Sequence, residues 1–128
     1  RSLIADVRFD IQDTVNTIKR RQKYRPFAPA ILAEYAEEYF DGPMNEHMQF
    51  TSWAKHDYAP VTHVDGSARV QIVRKDCESV FRKVIEEYYD RTGVPMLLNT
   101  SLNIRGRPMV NDKLDAEMWE QKYEVKVF

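Results

Sequence analysis

The sequence contains a single cysteine, Cys77, among its 128 residues. One thiol cannot form an internal disulfide, and a cysteine-based zinc site needs several thiolates. No apolar run approaches the roughly 20 residues that a transmembrane helix requires, and no secretory signal is visible. These absences predict a cytoplasmic protein that has no disulfide, no membrane-spanning segment and no metal ligands of its own.

The sequence also lacks an excess of charge of either sign. Its net charge is −1, so the basic field typical of general nucleic-acid-binding proteins is missing and nucleic acid is not favoured as a partner. Hydrophobic residues make up 43%, which with this length suits a single domain over residues 1–128. The chain begins at Arg1 rather than methionine, and we therefore expect a piece of a longer protein.

Positive charge is concentrated in one short stretch. Five of the seven residues from 19 to 25 are cationic: Lys19, Arg20, Arg21, Lys23 and Arg25. Pro26 and Pro29 follow, and each proline biases the preceding residue toward extended conformations. Cations held close together repel one another unless an anion lies among them. We therefore predict a polyanion site, with phosphates as first candidates, although compensation of a helix dipole is the simpler alternative for so short a run.

Apolar periodicity and capping residues predict the secondary structure. Helices are predicted over 10–20 with Asp10 as N-cap, over 34–40, over 77–92 with Gly93 after its end, and over 112–121; strands are predicted over 26–32, 68–72, 94–98 and 123–128. Residues 43–62 are predicted to be a loop that packs over the core. The charged face of the third helix, which includes Arg82, is predicted to be exposed. Mixed elements of this kind indicate an α/β fold.

Two polar segments suggest ligand contacts. In the strand that follows the Asp65-Gly66 turn, Arg69 lies on the polar face, from which it can present a guanidinium, although an exposed arginine is more often simply solvated. The apolar run 94–98 is followed by Asn99, Ser101 and Asn103, small hydrogen-bonding residues of the kind that line ligand sites where strands end. An ordinary turn is the alternative, because such side chains also satisfy loop backbones.

Taken in order, the motifs resemble a known family. They are Lys19-x-Arg21, Arg25-Pro-Phe-Ala-Pro29, His63-Val-Asp-Gly-Ser-Ala-Arg-Val-Gln71, Thr92-Gly-Val-Pro95 and Asn99-Thr-Ser-x-Asn103. This order resembles the C-terminal domain of nodulation-type and antibiotic-biosynthesis O-carbamoyltransferases. The resemblance covers about residues 1–112 and implies a YrdC-like fold, a twisted open mixed sheet flanked by helices.

The resemblance also implies an activity. The domain would use carbamoyl phosphate and ATP, with Mg²⁺ on the nucleotide, to form carbamoyl-adenylate, and a separate N-terminal domain would pass the carbamoyl group to an acceptor hydroxyl. The signature residues Lys19, Arg21 and Ser101 would be catalytic. Residues expected to bind ATP or carbamoyl phosphate are Arg25, His63, Arg69, Asn99, Asn103 and Arg107. The resemblance leaves open whether the protein forms a homodimer.

Two other functions stay open at this stage. Arg20, Gln22 and Arg107 differ from the usual residues of the family, which is consistent with an inactive module that still binds anions or nucleotides. A basic concave face would also suit an RNA-binding module, which a steep loss of RNA affinity with added salt would reveal.

Overall fold

The computed structural model describes residues 1–22 and 24–128. Lys23, one of the five cations of the predicted basic stretch, lies outside the described residues. The elements are β1 (Ser2–Ala5), α1 (Gln12–Lys19), β2 (Ala28–Leu32), α2 (Ala36–Tyr39), β3 (Phe40–Asp41), β4 (Ser52–Ala54), β5 (Ser67–Ala68), β6 (Gln71–Val73), α3 (Val80–Thr92), β7 (Met96–Ser101) and α4 (Lys113–Tyr123). Short 3-10 turns cover Ala33–Tyr35 and Ala59–Val61. The predicted class, an α/β domain with an open mixed sheet and helices, is confirmed.

The main sheet is built around β7. Its strand order is β1-β7-β2-β6, with β7 antiparallel to both β1 and β2, and β2 parallel to β6. The register pairs Ser101 with Ser2, and Asn99 with both Ile4 and Ala28. The polar residues predicted to follow a strand therefore begin within β7 itself. β1, which sequence reasoning missed, supplies one neighbour of their strand.

The predicted strand over 68–72 is wrong as a single element. β5 pairs with β4 in a second sheet of order β3-β4-β5, whereas β6 pairs with β2 in the main sheet. The chain passes from one sheet to the other at Arg69 and Val70. The alternation that suggested one strand is real, because Ala68 and Val70 are buried while Arg69 is exposed, but the two halves belong to different ladders.

The core occupies both faces of the main sheet. On one face Ile31, Met96 and Leu98 pack with Val15 and Phe27. On the other face the alternate residues of the same strands pack against α3, in a cluster formed by Ala30, Leu32, Leu97, Val73 and Ile85. Burial on both sides explains why β2 and the start of β7 are continuous apolar runs in the sequence. Such burial holds β2 and β7, and the polar end of β7, in fixed positions.

Two helices begin at side-chain caps, although α3 begins at Val80, three residues later than the predicted start at residue 77. The Ser79 hydroxyl accepts a hydrogen bond from Arg82 N at 3.3 Å, and α3 ends at Gly93 with φ of 73°. Asp112 caps α4 by accepting from Asp115 N at 2.9 Å. The predicted cap of α1 is wrong, because its N-cap is Ile11, and no side-chain hydrogen bond caps it.

Other predicted features are also wrong. The 34–40 segment is a 3-10 turn followed by the single turn of α2, and Phe40 already belongs to β3. The closing strand over 123–128 is absent from the described residues, where α4 runs to Tyr123 and Val127 N donates to Glu120 Oε1.

Residues 43–62 contain β4 and pack on the core, as expected for a covering segment. No helix in the described ranges has the length and apolarity that a membrane crossing requires.

Arg82 does not lie on a solvated face. Its side chain is only 7% exposed, its guanidinium forms ion pairs with Glu34 at 2.7 Å and Glu86 at 2.8 Å, and it donates to Val73 O at 2.8 Å. The charge is tolerated because these acceptors satisfy it. The partner Glu34 is 48 residues away in sequence, which local charge patterning cannot reveal.

Candidate functional site

The end of α1 and the end of β7 meet through Lys19. The Lys19 ammonium donates to Ser101 O at 2.5 Å, to Ser101 Oγ at 3.3 Å and to Asn103 Oδ1 at 2.5 Å. The Ser101 hydroxyl also donates to Asn103 Oδ1 at 2.9 Å. The two signatures of the sequence, the Lys-x-Arg and Ser-x-Asn pairs, are therefore in direct contact.

Local structure fixes both sides of this contact. Arg20 follows Lys19 as the C-cap, in the left-handed conformation with φ of 48°, and its N–H donates to the backbone oxygens of Asn16 and Thr17. On the other side, Asn103 Nδ2 donates to the backbone oxygens of Ile104 and Arg107, each at 3.2 Å. These hydrogen bonds hold the end of α1 and the loop after β7 in place without any contribution from a bound ligand.

Lys19 is a buried cation whose donors are already committed. It is 8% exposed, and an ammonium has three N–H donors, which match its three acceptors here. Burial lowers the Lys19 pKa, and the neighbouring charge of Arg21 lowers it further. Lys19 is therefore a held group that positions Ser101 and Asn103.

Three arginines lie beside the contact between Lys19 and the Ser-x-Asn pair. The guanidinium of Arg21 lies 5.0 Å from the centre of the Phe27 ring, a cation–π contact that fixes its direction. Burial lowers the Arg21 pKa, and the charges of Arg25 and Arg69 add to that effect. Arg25 and Arg69 are both exposed. Like charges at short range make this an unfavourable arrangement that a bound anion would relieve.

A cleft runs through these residues, and we call it the basic cleft. Its Ser101 lobe has a volume of about 720 Å³ and its His63 lobe about 580 Å³. Six residues line both lobes: Arg21, Arg25, Pro26, Phe27, Ala28 and Arg69. The Ser101 lobe adds Lys19, Asn99, Ser101 and Asn103, and the His63 lobe adds His63. Eight of the nine site residues expected from the sequence therefore line one continuous cleft.

The Ser101 lobe is electrostatically one-sided. Its lining includes six cations, Arg1, Lys19, Arg21, Arg25, Arg69 and Arg105, and no aspartate or glutamate among the described residues. Arg1 and Arg105 are site residues that sequence reasoning did not select. Arg105 donates to Arg20 O at 3.1 Å, across 85 residues of sequence, so only the Arg105-Gly106-Arg107 run hinted at it. Such a lobe is suited to several phosphate groups.

Asn99 lies at the wall of the Ser101 lobe and is 8% exposed. Its Nδ2 donates to Gln71 Oε1 at 2.7 Å on β6, and its buried Oδ1 has no hydrogen-bond partner among the described residues. The amide therefore joins the wall to the neighbouring strand. Its contact with a ligand stays a prediction.

Arg107 is the one expected residue that lies elsewhere. It lines a separate cavity of about 480 Å³ together with Met118 and Asp115 near α4. Its contribution to the basic cleft is through the backbone, because Arg107 O accepts from the Asn103 side chain. The cation of the site on this loop is Arg105 instead.

Fold and site together define an α/β domain with a cleft that is lined by several cations. The chain belongs to the carbamoyltransferase C-terminus family, which matches residues 1–128. It is 40% identical over 126 residues to nodulation protein NolNO of Sinorhizobium fredii, covering 91% of the chain and 18% of that relative. It is 37% identical over 126 residues to nodulation protein NolO of Bradyrhizobium diazoefficiens, covering 91% of the chain and 23% of the relative.

A third relative gives the same result. Nodulation protein U of Sinorhizobium fredii is 38% identical over 115 residues, which are 86% of this chain and 21% of the relative. The chain thus spans about a fifth of the length of the curated relatives it matches.

Proposed function

We propose that the basic cleft binds ATP and carbamoyl phosphate and forms carbamoyl-adenylate, the activated donor for O-carbamoyl transfer. The observation that carries the proposal is the Ser101 lobe, where six cations face no carboxylate among the described lining residues. The two substrates together carry several phosphate groups, which suit this lobe. Membership of the carbamoyltransferase C-terminus family is the reason for choosing carbamoyl phosphate as one of them. An ATP-dependent carbamoyltransferase function accounts for both facts.

The reaction needs charge stabilisation more than proton transfer. Water releases inorganic phosphate from carbamoyl phosphate and leaves carbamate. A carbamate oxygen then forms a bond to the α-phosphorus of ATP, the bond from that phosphorus to the bridging oxygen breaks, and pyrophosphate leaves with the electron pair. The attacking oxygen is already anionic, so the enzyme's main tasks are alignment and neutralisation of phosphoryl charge.

The residues of the cleft suit these tasks. Arg21, Arg25 and Arg69 line both lobes and would hold phosphate oxygens, for which guanidinium groups have the matching planar fork. Ser101 and Asn103, held by Lys19, would position the carbamoyl group. Lys19 would act mainly through this positioning and through its charge.

Magnesium would enter with the nucleotide. The described residues contain no group of three or more histidine, cysteine or acidic side chains placed to hold a metal ion. The phosphate oxygens of the nucleotide, rather than protein side chains, would therefore be the main ligands of Mg²⁺. A Mg²⁺ ion would neutralise part of the charge on those oxygens. The arginines of the cleft would supply the remainder.

The acceptor step belongs to another part of the protein on this proposal. A separate N-terminal domain would carry the carbamoyl group to an acceptor hydroxyl, and the relatives are long enough to contain one, because this chain spans only about a fifth of them. We also propose that the mixed sheet is of the YrdC-like type. Its order, with β7 between β1 and β2, gives a definite topology for that comparison.

The direct test is exchange of labelled pyrophosphate into ATP by the purified protein, with and without carbamoyl phosphate. We expect exchange only when carbamoyl phosphate is present. Arg21→Gln should reduce it at least tenfold, since one charged hydrogen-bonding group is worth about 1.5–3 kcal/mol. Arg91→Gln is the matched control, because Arg91 pairs with Glu87 on the exposed face of α3.

Each other outcome has a distinct meaning. Binding of ATP and carbamoyl phosphate with no exchange would replace the proposal by an inactive nucleotide-binding module. Absence of binding to both ligands in a folded protein would refute the site itself. RNA binding that falls steeply with salt, alongside no exchange, would support the nucleic-acid alternative.

A further inference from the structure

The two lobes of the basic cleft differ in charge. The described lining of the Ser101 lobe contains no carboxylate, whereas the His63 lobe contains Asp65. A carboxylate repels phosphate and attracts hydrogen-bond donors. The phosphates of a ligand are therefore favoured in the Ser101 lobe and at the shared arginines, and a neutral donor-bearing part of that ligand is favoured beside Asp65.

The turn holds Asp65 through one carboxylate oxygen and leaves its other carboxylate oxygen available to a ligand. Its Oδ1 accepts from Ser67 N at 2.9 Å and from Ser67 Oγ at 2.6 Å. The turn closes through His63 N to Ser67 O at 2.7 Å and Gly66 N to His63 O at 2.9 Å. No described residue donates to Asp65 Oδ2. The carboxylate is thus a preorganised acceptor on a tight turn, as a polar specificity group should be.

The turn itself uses glycine where it must. Gly66 has φ of +84°, a conformation in which a side chain is strained. It brings Asp65 and Ser67 into the geometry that leaves Oδ2 unpaired. The Asp-Gly-Ser sequence is therefore explained by the turn, but the spare oxygen at the cleft is not.

The His63 lobe also presents apolar surface. Tyr24 is 72% exposed and Val64 is fully exposed, and both line this lobe. Exposed aromatic and aliphatic groups beside a polar acceptor suit a heterocyclic base, because a base has apolar faces that stack on rings. The lobe volume of about 580 Å³ lies within the range of ligand pockets.

Resting on the proposed function, we infer that the His63 lobe is a nucleoside subsite in which Asp65 Oδ2 accepts a hydrogen bond from a ribose hydroxyl. Tyr24 and Val64 flank the base. The α-phosphate then lies where the lobes join, among the arginines that line both, and the carbamoyl group lies toward Ser101. This arrangement places the nucleoside in the His63 lobe and the α-phosphate at the junction, with the carbamoyl group and the leaving pyrophosphate on opposite sides of that phosphorus, as in-line displacement requires.

The test compares ATP with inorganic tripolyphosphate in equilibrium binding to the purified protein. We expect the wild-type protein to bind ATP more tightly, and Asp65→Asn to weaken ATP about tenfold or more, since a hydrogen bond to a charged group is involved. Tripolyphosphate affinity should stay unchanged or rise, because the variant removes a negative charge. Asparagine keeps the Oδ1 acceptor for Ser67, which protects the turn.

Asp57→Asn is the matched control. Because Asp57 lines a cavity that shares Tyr24, His63 and Val64 with the His63 lobe, a second control is Asp90→Asn on α3, where an exposed carboxylate lines neither lobe and the same change of charge should leave ATP affinity unaltered. A second measurement needs no variant: 2′,3′-dideoxy-ATP lacks both ribose hydroxyls and should bind the wild-type protein about as weakly as Asp65→Asn binds ATP.

The outcomes separate the inference from the function on which it rests. Equal losses of ATP and tripolyphosphate in Asp65→Asn, or equal affinities of the wild-type protein for ATP and the dideoxy nucleotide, would overturn the nucleoside subsite and leave the phosphate site standing. If the wild-type protein binds neither ATP nor tripolyphosphate, the proposed function fails, and the subsite fails with it.

Discussion

Lys19 on α1 donates a hydrogen bond of 2.5 Å to the backbone oxygen of Ser101 on β7, 82 residues further along the chain. The same ammonium holds Asn103 Oδ1 at 2.5 Å. One buried cation therefore joins a helix end, a strand end and the loop after it. A residue whose position in the sequence suggested direct ligand contact is also a structural link.

Replacing Lys19 should therefore affect stability as well as binding. Lys19→Met keeps most of the side-chain volume but removes the ammonium donor from three acceptors on Ser101 and Asn103, and we expect the free energy of unfolding to fall by about 1–3 kcal/mol. Affinity for tripolyphosphate should fall too. Urea denaturation and calorimetric titration measure the two effects.

The control for that variant is Lys113→Met, because Lys113 is 91% exposed and its contact with Glu117 is 3.7 Å. Exposed pairs of this kind contribute little, so its stability should stay within about 0.5 kcal/mol of the wild type. Equal unfolding free energies for Lys19→Met and the wild-type protein would contradict the linking role.

The arginine cluster should oppose folding when no anion is present. Burial lowers the pKa of Arg21, and repulsion from the charges of Arg25 and Arg69 lowers it further. Arg69→Gln should accordingly raise the Tm slightly at low salt while weakening tripolyphosphate about tenfold. The rise should vanish near 1 M salt, where screening acts over only about 3 Å.

Thermal melts of Arg69→Gln at several salt concentrations, with and without tripolyphosphate, provide the measurement. Arg91→Gln, which removes an exposed cation paired with Glu87, serves for comparison. A fall in Tm for Arg69→Gln at low salt would show that the cluster is not a source of repulsion.

Asp6 should make the fold sensitive to acid. The hydrogen bonds and charge of Arg8, together with a hydrogen bond from Tyr88, lower the Asp6 pKa from 3.8 to about 2 against the opposing effect of burial. Because the folded-state pKa is the lower one, the stabilisation is complete above pH 3.8 and is lost as pH falls toward 2. Asp6→Asn should flatten this part of the pH–stability curve.

Urea denaturation at a series of pH values from 5 downward would record that change. Asp90→Asn alters an exposed carboxylate on α3 and should leave the slope of the wild type intact. An acid transition of unchanged steepness in Asp6→Asn would rule out this carboxylate as a source of acid sensitivity.

Arg82 should be among the costliest positions outside the cleft. Arg82→Ala leaves Val73 O and the Glu34 carboxylate without their partner, and breaking a buried pair costs about 3 kcal/mol. Chemical denaturation would measure the loss. Lys83→Ala, one position along on the exposed face of α3, should change stability little, and comparable losses in the two variants would contradict the buried network.

Local signals were sufficient for the elements whose determinants lie within a few residues. Apolar periodicity placed the ends of α3 and α4 to within three residues, Gly93 follows α3 as predicted, and apolar runs marked β2 and β7. The strand expected over 68–72 failed because its two halves pair with different sheets. That choice depends on partners distant in the sequence, and so does the burial of Arg82 against Glu34.

The candidate site shows the same division. Residue types and motif order indicated Lys19, Arg21, Arg69, Ser101 and Asn103, all of which line the basic cleft. The sequence could not show that Arg105 rather than Arg107 lines the cleft, because this depends on the conformation of the loop that carries both arginines. It also gave no sign that Asp65 keeps one oxygen unpaired, because that depends on the closed geometry of its turn.

The pairing of β1 with β7 has a consequence for the order of folding. Its register joins Ser2 to Ser101, and the Lys19 contacts span 82 and 84 residues. Contacts this distant form slowly, because a long loop must close first. The Ser101 lobe, whose lining extends to Met109, can therefore form only after synthesis has passed that residue, and anion binding in this lobe should report completed folding rather than any partly structured state.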